Sequence, residues 1–216
     1  MFISVTQKYK WLVALEAFIL LNGVPALAYT GAIPGSSRYL LAFVVLGLVG
    51  VRFIRESWTL ETLGLKGKWG HNSLRDHVLW ALLGVFLIFV FFHNFALSRE
   101  VFSITTKTIL FSFVISFVQE LIFRSYLIES LERLSFSKFA IYTISATSFA
   151  IIHLFFETYL WALVPMCFLY GLLTCWLYLK YRNLTLLTLN HFAVNLFAAH
   201  FRLVEADPIL SQWLHN

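Results

Sequence analysis

The sequence predicts an all-α fold: a polytopic transmembrane helical bundle of about seven spans. Three observations predict it. Of the 216 residues, 60% are hydrophobic and only 12% are charged, about half the charged fraction of ordinary soluble domains, and mean hydropathy is +0.79. The apolar residues gather in runs long enough to cross a bilayer. Twenty-three Phe, seven Trp and nine Tyr suit lipid-facing surfaces and aromatic belts at the membrane boundary. No soluble domain, low-complexity tract or internal repeat stands out, so residues 1–216 read as a single transmembrane domain.

Seven runs qualify, at approximately 11–30, 39–55, 77–97, 103–129, 138–156, 159–180 and 184–203. An eighth span or a re-entrant piece is the alternative count. Lys8 and Lys10 precede the first run as in a signal peptide. That run contains Glu16 and no clear small-x-small cleavage site before Pro25, so it is expected to be a retained first span. Asn22-Gly23-Val24-Pro25 interrupts it and predicts a kink or an early end. The fourth run is over-long and is expected to tilt or to project from the membrane. Residues 55–76 form the one extended polar stretch. There Lys66 and Lys68 alternate with apolar residues, which suits an interfacial segment on an anionic leaflet.

The net charge is +5 and the pI is near 9.3, yet no basic patch with interleaved aromatics is present, which argues against nucleic acid as a partner. Positive-inside bias explains the charge instead. With the N-terminus inside, the inner connections hold Lys8, Lys10, Arg52, Arg55, Lys66, Lys68, Arg75, Arg133, Lys138, Lys180 and Arg182, against Arg38, Arg99, Lys107 and Arg202 outside. Cys167 and Cys175 share one apolar run. They would lie about 12 Å apart along a helix, too far for a disulfide.

The chemistry gathers in the late runs. Phe111 to Glu129 carries Gln119, Glu120 and Arg124 at mid-depth, where ionisable groups are costly and suggest a functional site. Glu120 and Arg124 are spaced i,i+4 and can pair; Gln119 is turned about 100° from Glu120. The fifth run places Phe149 one turn before His153. The seventh places His191 and Asn195 on one face, with Asn190 pointing elsewhere. Helix–helix hydrogen bonding would explain each polar residue singly. Converging, they could line one buried cavity in which a base activates water and imidazole and carboxamide donors stabilise an oxyanion. A proton or cation pathway would use the same residue types. His93 and Asn94, Glu16, His200, His71 and His215 are expected to be structural. Gly171 suits a close helix approach, although no small-x-x-x-small partner accompanies it.

Three spacings now coincide: Glu120-Leu-Ile-Phe-Arg124, Phe149-Ala-Ile-Ile-His153 and His191-Phe-Ala-Val-Asn195, in that order on late runs. This resembles the CPBP family of intramembrane proteases, also called the CAAX protease and bacteriocin-processing (Abi) family. Its signature is Glu-Glu-x-x-x-Arg, Phe-x-x-x-His and His-x-x-x-Asn or Asp. The similarity covers roughly residues 103–203. The resemblance implies a glutamate-dependent endopeptidase that cleaves near the C-terminal tail of a membrane-anchored protein or peptide. His153 would activate water with the first glutamate, and His191 and Asn195 would form the oxyanion side. Glu120 with Arg124 would be a structural ion pair, and Phe149 would pack beside the site. A short chain with few loops further suggests a bacterial cytoplasmic membrane.

One position departs from the pattern. The first glutamate of the pair is Gln119. A carboxamide fills nearly the same volume and hydrogen-bonds, but cannot take a proton from water. Three explanations compete. A substitution could have been introduced to silence an active protease, the chain could be a natural non-catalytic binding or immunity protein, or Glu120 could have taken over as base. The first is preferred, because the change is near-isosteric within an otherwise intact set. The third is disfavoured, because Glu120 is engaged by Arg124 and faces another way. No cofactor is expected. Zinc, which two histidines and a glutamate could hold, is the minority alternative, since no His-Glu-x-x-His helix exists. A proton-pathway transporter is the alternative from outside the enzymes.

Overall fold

Thr105 and Asn183 show how local chemistry starts two of the helices that carry the site. The Thr105 hydroxyl accepts from the backbone N–H of Thr108 at 3.2 Å, and the Asn183 side chain accepts from that of Leu186 at 2.9 Å. Each satisfies an amide that a helix start leaves without a partner. The structure is a computed structural model. It describes residues 57–95, 104–153 and 160–201, together with individual positions between 19 and 55. The first two predicted spans, Glu16 and His215 therefore lie wholly or largely outside the described residues.

The continuous helices are α1 (His71–Phe95), α2 (Thr106–Glu120), α3 (Leu127–Arg133), α4 (Lys138–His153), α5 (Leu160–Tyr181) and α6 (Leu184–His200). A π-helical turn, Leu121–Tyr126, joins α2 to α3 without a break. No strand occurs among the described residues. Among the described residues, three helical stretches are long and apolar enough to cross a membrane: His71–Asn94, Thr106–Arg133 and Leu163–Tyr181. Helix α6 has 17 residues, short of the roughly 20 a full crossing needs.

Helix bounds depart from the hydropathy pattern where polar residues find partners. Helix α1 begins at His71, ahead of its apolar run, and draws in Asp76. That carboxylate accepts from the Tyr181 hydroxyl at 2.6 Å and from Lys180 at 2.9 Å. The over-long fourth run is one 28-residue rod. Its far end is sheathed by protein, with Leu127, Ile128 and Leu131 buried.

The chief packing pairs are α4 with α5, α2 with α6 and α1 with α6. Gly171 sets the first. A methyl group there would stand 2.9 Å from Ala146 Cα, so the two backbones meet as the glycine permits.

The polar stretch 57–70 is fastened across the helix ends. Leu184 N–H donates to the Gly64 carbonyl at 2.8 Å and Lys68 N–H to that of Tyr181 at 3.0 Å. The Ser125 hydroxyl donates to the Leu63 carbonyl at 3.0 Å. Gly64 has φ +72°, and a side chain at Gly67 would collide with the Arg182 carbonyl. Trp58 and Leu63 join the main core with Leu127, Tyr178 and Leu187. At the same end Arg182 pairs with Glu129 and Glu132, and Arg133 with Glu129. The connections 57–70, 134–137 and 182–183 thus share one end, as alternating spans require.

Candidate active site

The site begins where α2 gives way to the π-helical turn, a widened backbone geometry that often accompanies functional positions. Glu120 and Arg124 are both 0% exposed, and Arg124 Nε stands 3.5 Å from Glu120 Oε2. That distance is an ion pair but a poor hydrogen bond. The guanidinium donates elsewhere. Nε and Nη2 reach Thr174 Oγ1 at 2.9 and 2.6 Å, and Nη1 reaches Ser145 Oγ at 3.4 Å. Its carbon lies 4.7 Å from the centroid of the Phe149 ring.

The second carboxylate oxygen of Glu120 binds His191, with Oε1 2.7 Å from Nδ1. An ionised carboxylate only accepts, so Nδ1 carries the proton. The His191 ring meets Phe149 and Tyr170 edge to face at centroid distances of 5.5 and 5.4 Å. His153 Nδ1 lies 2.8 Å from the Phe149 carbonyl. That nitrogen therefore donates, which leaves the lone pair of the neutral ring on Nε2. Asn195 Nδ2 donates to Ser116 Oγ at 3.0 Å, and the Ser116 hydroxyl in turn donates to the Ser112 carbonyl at 2.6 Å.

A cavity of about 340 Å³ opens between α1, α5, α6 and the end of α4. His153, His191 and Asn195 line it with Phe149 and Tyr170, while Trp80, Leu83, Leu87, Leu163, Met166 and Val194 supply apolar wall. This is the size and character of a small-ligand site, apolar with a few convergent polar groups.

The expected site residues are thus brought together in two linked sets. Glu120, Arg124, His191 and Phe149 form one contact network, and His153, His191, Asn195 and Phe149 face one cavity. Gln119 precedes Glu120 at the end of α2 and is not among the residues lining the cavity. Its side-chain oxygen is buried without a hydrogen-bond partner. Asn190 turns away, accepting from Tyr170 at 2.8 Å and donating to the His77 carbonyl at 2.7 Å. His93 lies against Phe89, Asn94 bonds the Val90 carbonyl, and His200 lies against Phe201. Neither cysteine forms a disulfide. Among the described residues, no three His, Cys, Asp or Glu side chains are grouped to hold a metal ion.

Sequence reasoning missed the contribution of α5, Tyr170 and Thr174. Its signal was present: Tyr170-Gly-Leu-Leu-Thr174 sets two polar groups i,i+4 in an otherwise apolar run.

Fold and site together define an integral membrane protein, all-helical in its described part, with an acid–imidazole–carboxamide cluster beside an apolar cavity. Residues 101–197, a little under half of the chain, match the family model of the Rce1-like type II CAAX prenyl endopeptidases. The matched stretch contains all three motifs and agrees with the CAAX-protease resemblance. Comparisons with curated proteins and with solved structures returned no match.

Proposed function

We propose that the chain is built as an intramembrane endopeptidase of the CAAX-protease type, which holds its peptide but lacks the base for rapid turnover. Water would attack the scissile carbonyl from the cavity side. His153 Nε2 is the group suited to accept a hydrogen bond from that water. His191 through Nε2 and Asn195 through its second amide N–H would donate to the oxyanion. When both ring nitrogens of His191 donate, the ring is positive, and Glu120 lies against it to balance that charge. The remaining role is a carboxylate that takes the water's proton and hands it to the leaving amine, and position 119 offers a carboxamide.

The observation that carries this reading is the disposition of Glu120. Oε1 is bonded to His191 and Oε2 faces Arg124, so the neighbouring carboxylate is already engaged and does not replace the missing base. The family match supports a membrane-anchored protein or peptide as substrate, cleaved near its C-terminal tail. The distribution of Lys and Arg supports an N-terminus on the cytoplasmic side, and the short chain with few loops supports a bacterial inner membrane. Restoring the carboxylate with Gln119→Glu and measuring cleavage of tail-anchored peptides tests the proposal. Turnover that disappears on adding His153→Ala supports it, and equal inactivity of both forms across a broad peptide panel overturns it.

A further inference from the structure

Helix α5 carries none of the three motifs, yet it supplies the groups that Arg124 bonds most closely. Thr174 is fully buried. Its hydroxyl donates to the Tyr170 carbonyl at 2.9 Å and accepts from Arg124 Nε at 2.9 Å and Nη2 at 2.6 Å. One donor and two acceptor positions are the whole capacity of a hydroxyl, so Thr174 is saturated and its lone pairs are fixed on the guanidinium. This has a consequence for Glu120. Its Oε2 lies 3.5 Å from Arg124 Nε and has no hydrogen bond of its own, although arginine and carboxylate favour a close bidentate pairing. Thr174 occupies the donors such a pairing would use. The carboxylate therefore stays free to hold His191 at 2.7 Å.

We propose that Thr174 is a positioning residue: by drawing the Arg124 guanidinium toward α5 it stops Arg124 from closing on Glu120, and so preserves the Glu120–His191 hydrogen bond. Tyr170, one turn away on the same face, steadies the other side of the His191 ring. Its own hydroxyl is anchored on Asn190 at 2.8 Å. Without the Thr174 hydroxyl, Arg124 closes from ion-pair distance to a hydrogen bond on Oε2, and the carboxylate turns away from His191.

The test uses Thr174→Val, which keeps shape and removes the acceptor, and Thr174→Ser, which keeps the acceptor. In the full-length protein with ¹⁵N-labelled histidine, the His191 Nδ1–H signal is assigned by its loss in His191→Gln. The expected result is a hydrogen-bonded signal in the parent, its upfield shift or loss to water exchange in Thr174→Val, and its return in Thr174→Ser. A signal unchanged in Thr174→Val, even with a lowered melting temperature, overturns the proposal and leaves Thr174 a packing residue. A second arm rests on the proposed function. In a Gln119→Glu background Thr174→Val should lower kcat about 10- to 100-fold, as slight misplacement of a catalytic group does, with KM nearly unchanged and Thr174→Ser restoring kcat. Absence of cleavage by Gln119→Glu itself would count against the protease reading, while the histidine spectrum still decides the role of Thr174.

Discussion

Replacing Arg124 with Met removes a fully buried cation and leaves Glu120 in place. Two unit charges 3.5 Å apart attract by about 5 kcal/mol at an effective dielectric near 20. Two hydrogen bonds to Thr174 and the contact with the Phe149 face vanish as well. Against this, the variant no longer desolvates a guanidinium. Breaking a buried pair from one side costs about 3–5 kcal/mol in comparable cases. The low end applies here, because His191 continues to hold Glu120 Oε1. For a chain of this size about 3 kcal/mol corresponds to roughly 6–12 °C in melting temperature. Thermal unfolding in detergent, followed by the fluorescence of the seven tryptophans, measures it. Adding Glu120→Gln to Arg124→Met removes the orphaned charge and should recover part of the loss. A single variant within about 2 °C of the parent, or a double variant no more stable than the single, would refute the reasoning.

Other outcomes follow from named contacts. Gly171→Ala pushes a methyl group against the Ala146 backbone and should cost about 1–3 kcal/mol by overpacking; Gly70→Ala, with nothing within 4 Å, should stay within about 0.5 kcal/mol, and equal melting temperatures would contradict this. Ala198→Phe fills the cavity from α6 and should abolish retention of an apolar peptide while the protein remains folded, as measured by peptide binding alongside thermal unfolding. In a Gln119→Glu background, Asn195→Ala should lower kcat about 10²–10³-fold, the usual effect of losing an oxyanion donor, and steady-state kinetics would show it.

Much of the fold was legible because composition and apolar run length report on a bilayer directly. The Glu120–Arg124 pairing and the shared face of His191 and Asn195 were legible for a related reason: both are one-turn relationships within a single helix. What escaped was long-range. The Glu120–His191 bond joins residues 71 apart in sequence, and no local spacing encodes it. Thr174 bonds its own helix backbone, as a hydroxyl within an apolar span commonly does. Its second task depends on Arg124 arriving from another helix. The π-helical turn has no residue signature of its own in Leu-Ile-Phe-Arg-Ser-Tyr, and it arises where packing wins over regular spacing. Residues 55–76 read as an interfacial segment from the basic and apolar residues mixed along them. Their attachment to the α5–α6 turn depends on Gly64 and Gly67 fitting against backbone over a hundred positions away. Gln119 was singled out from the motif, but its absence from the cavity wall was not foreseen, because rotation around α2 is set by packing against α6.

On the proposed function, one functional group, the carboxamide at position 119, separates this chain from a working protease. The most direct measurement is the cleavage rate of a membrane-anchored peptide by Gln119→Glu against the unaltered chain, in the same lipid. A general base contributes about 10²–10⁴-fold, so Gln119→Glu should gain turnover on that scale with KM little changed, and lose it again with His153→Ala. An unaltered chain that already cleaves as fast as Gln119→Glu would contradict the account.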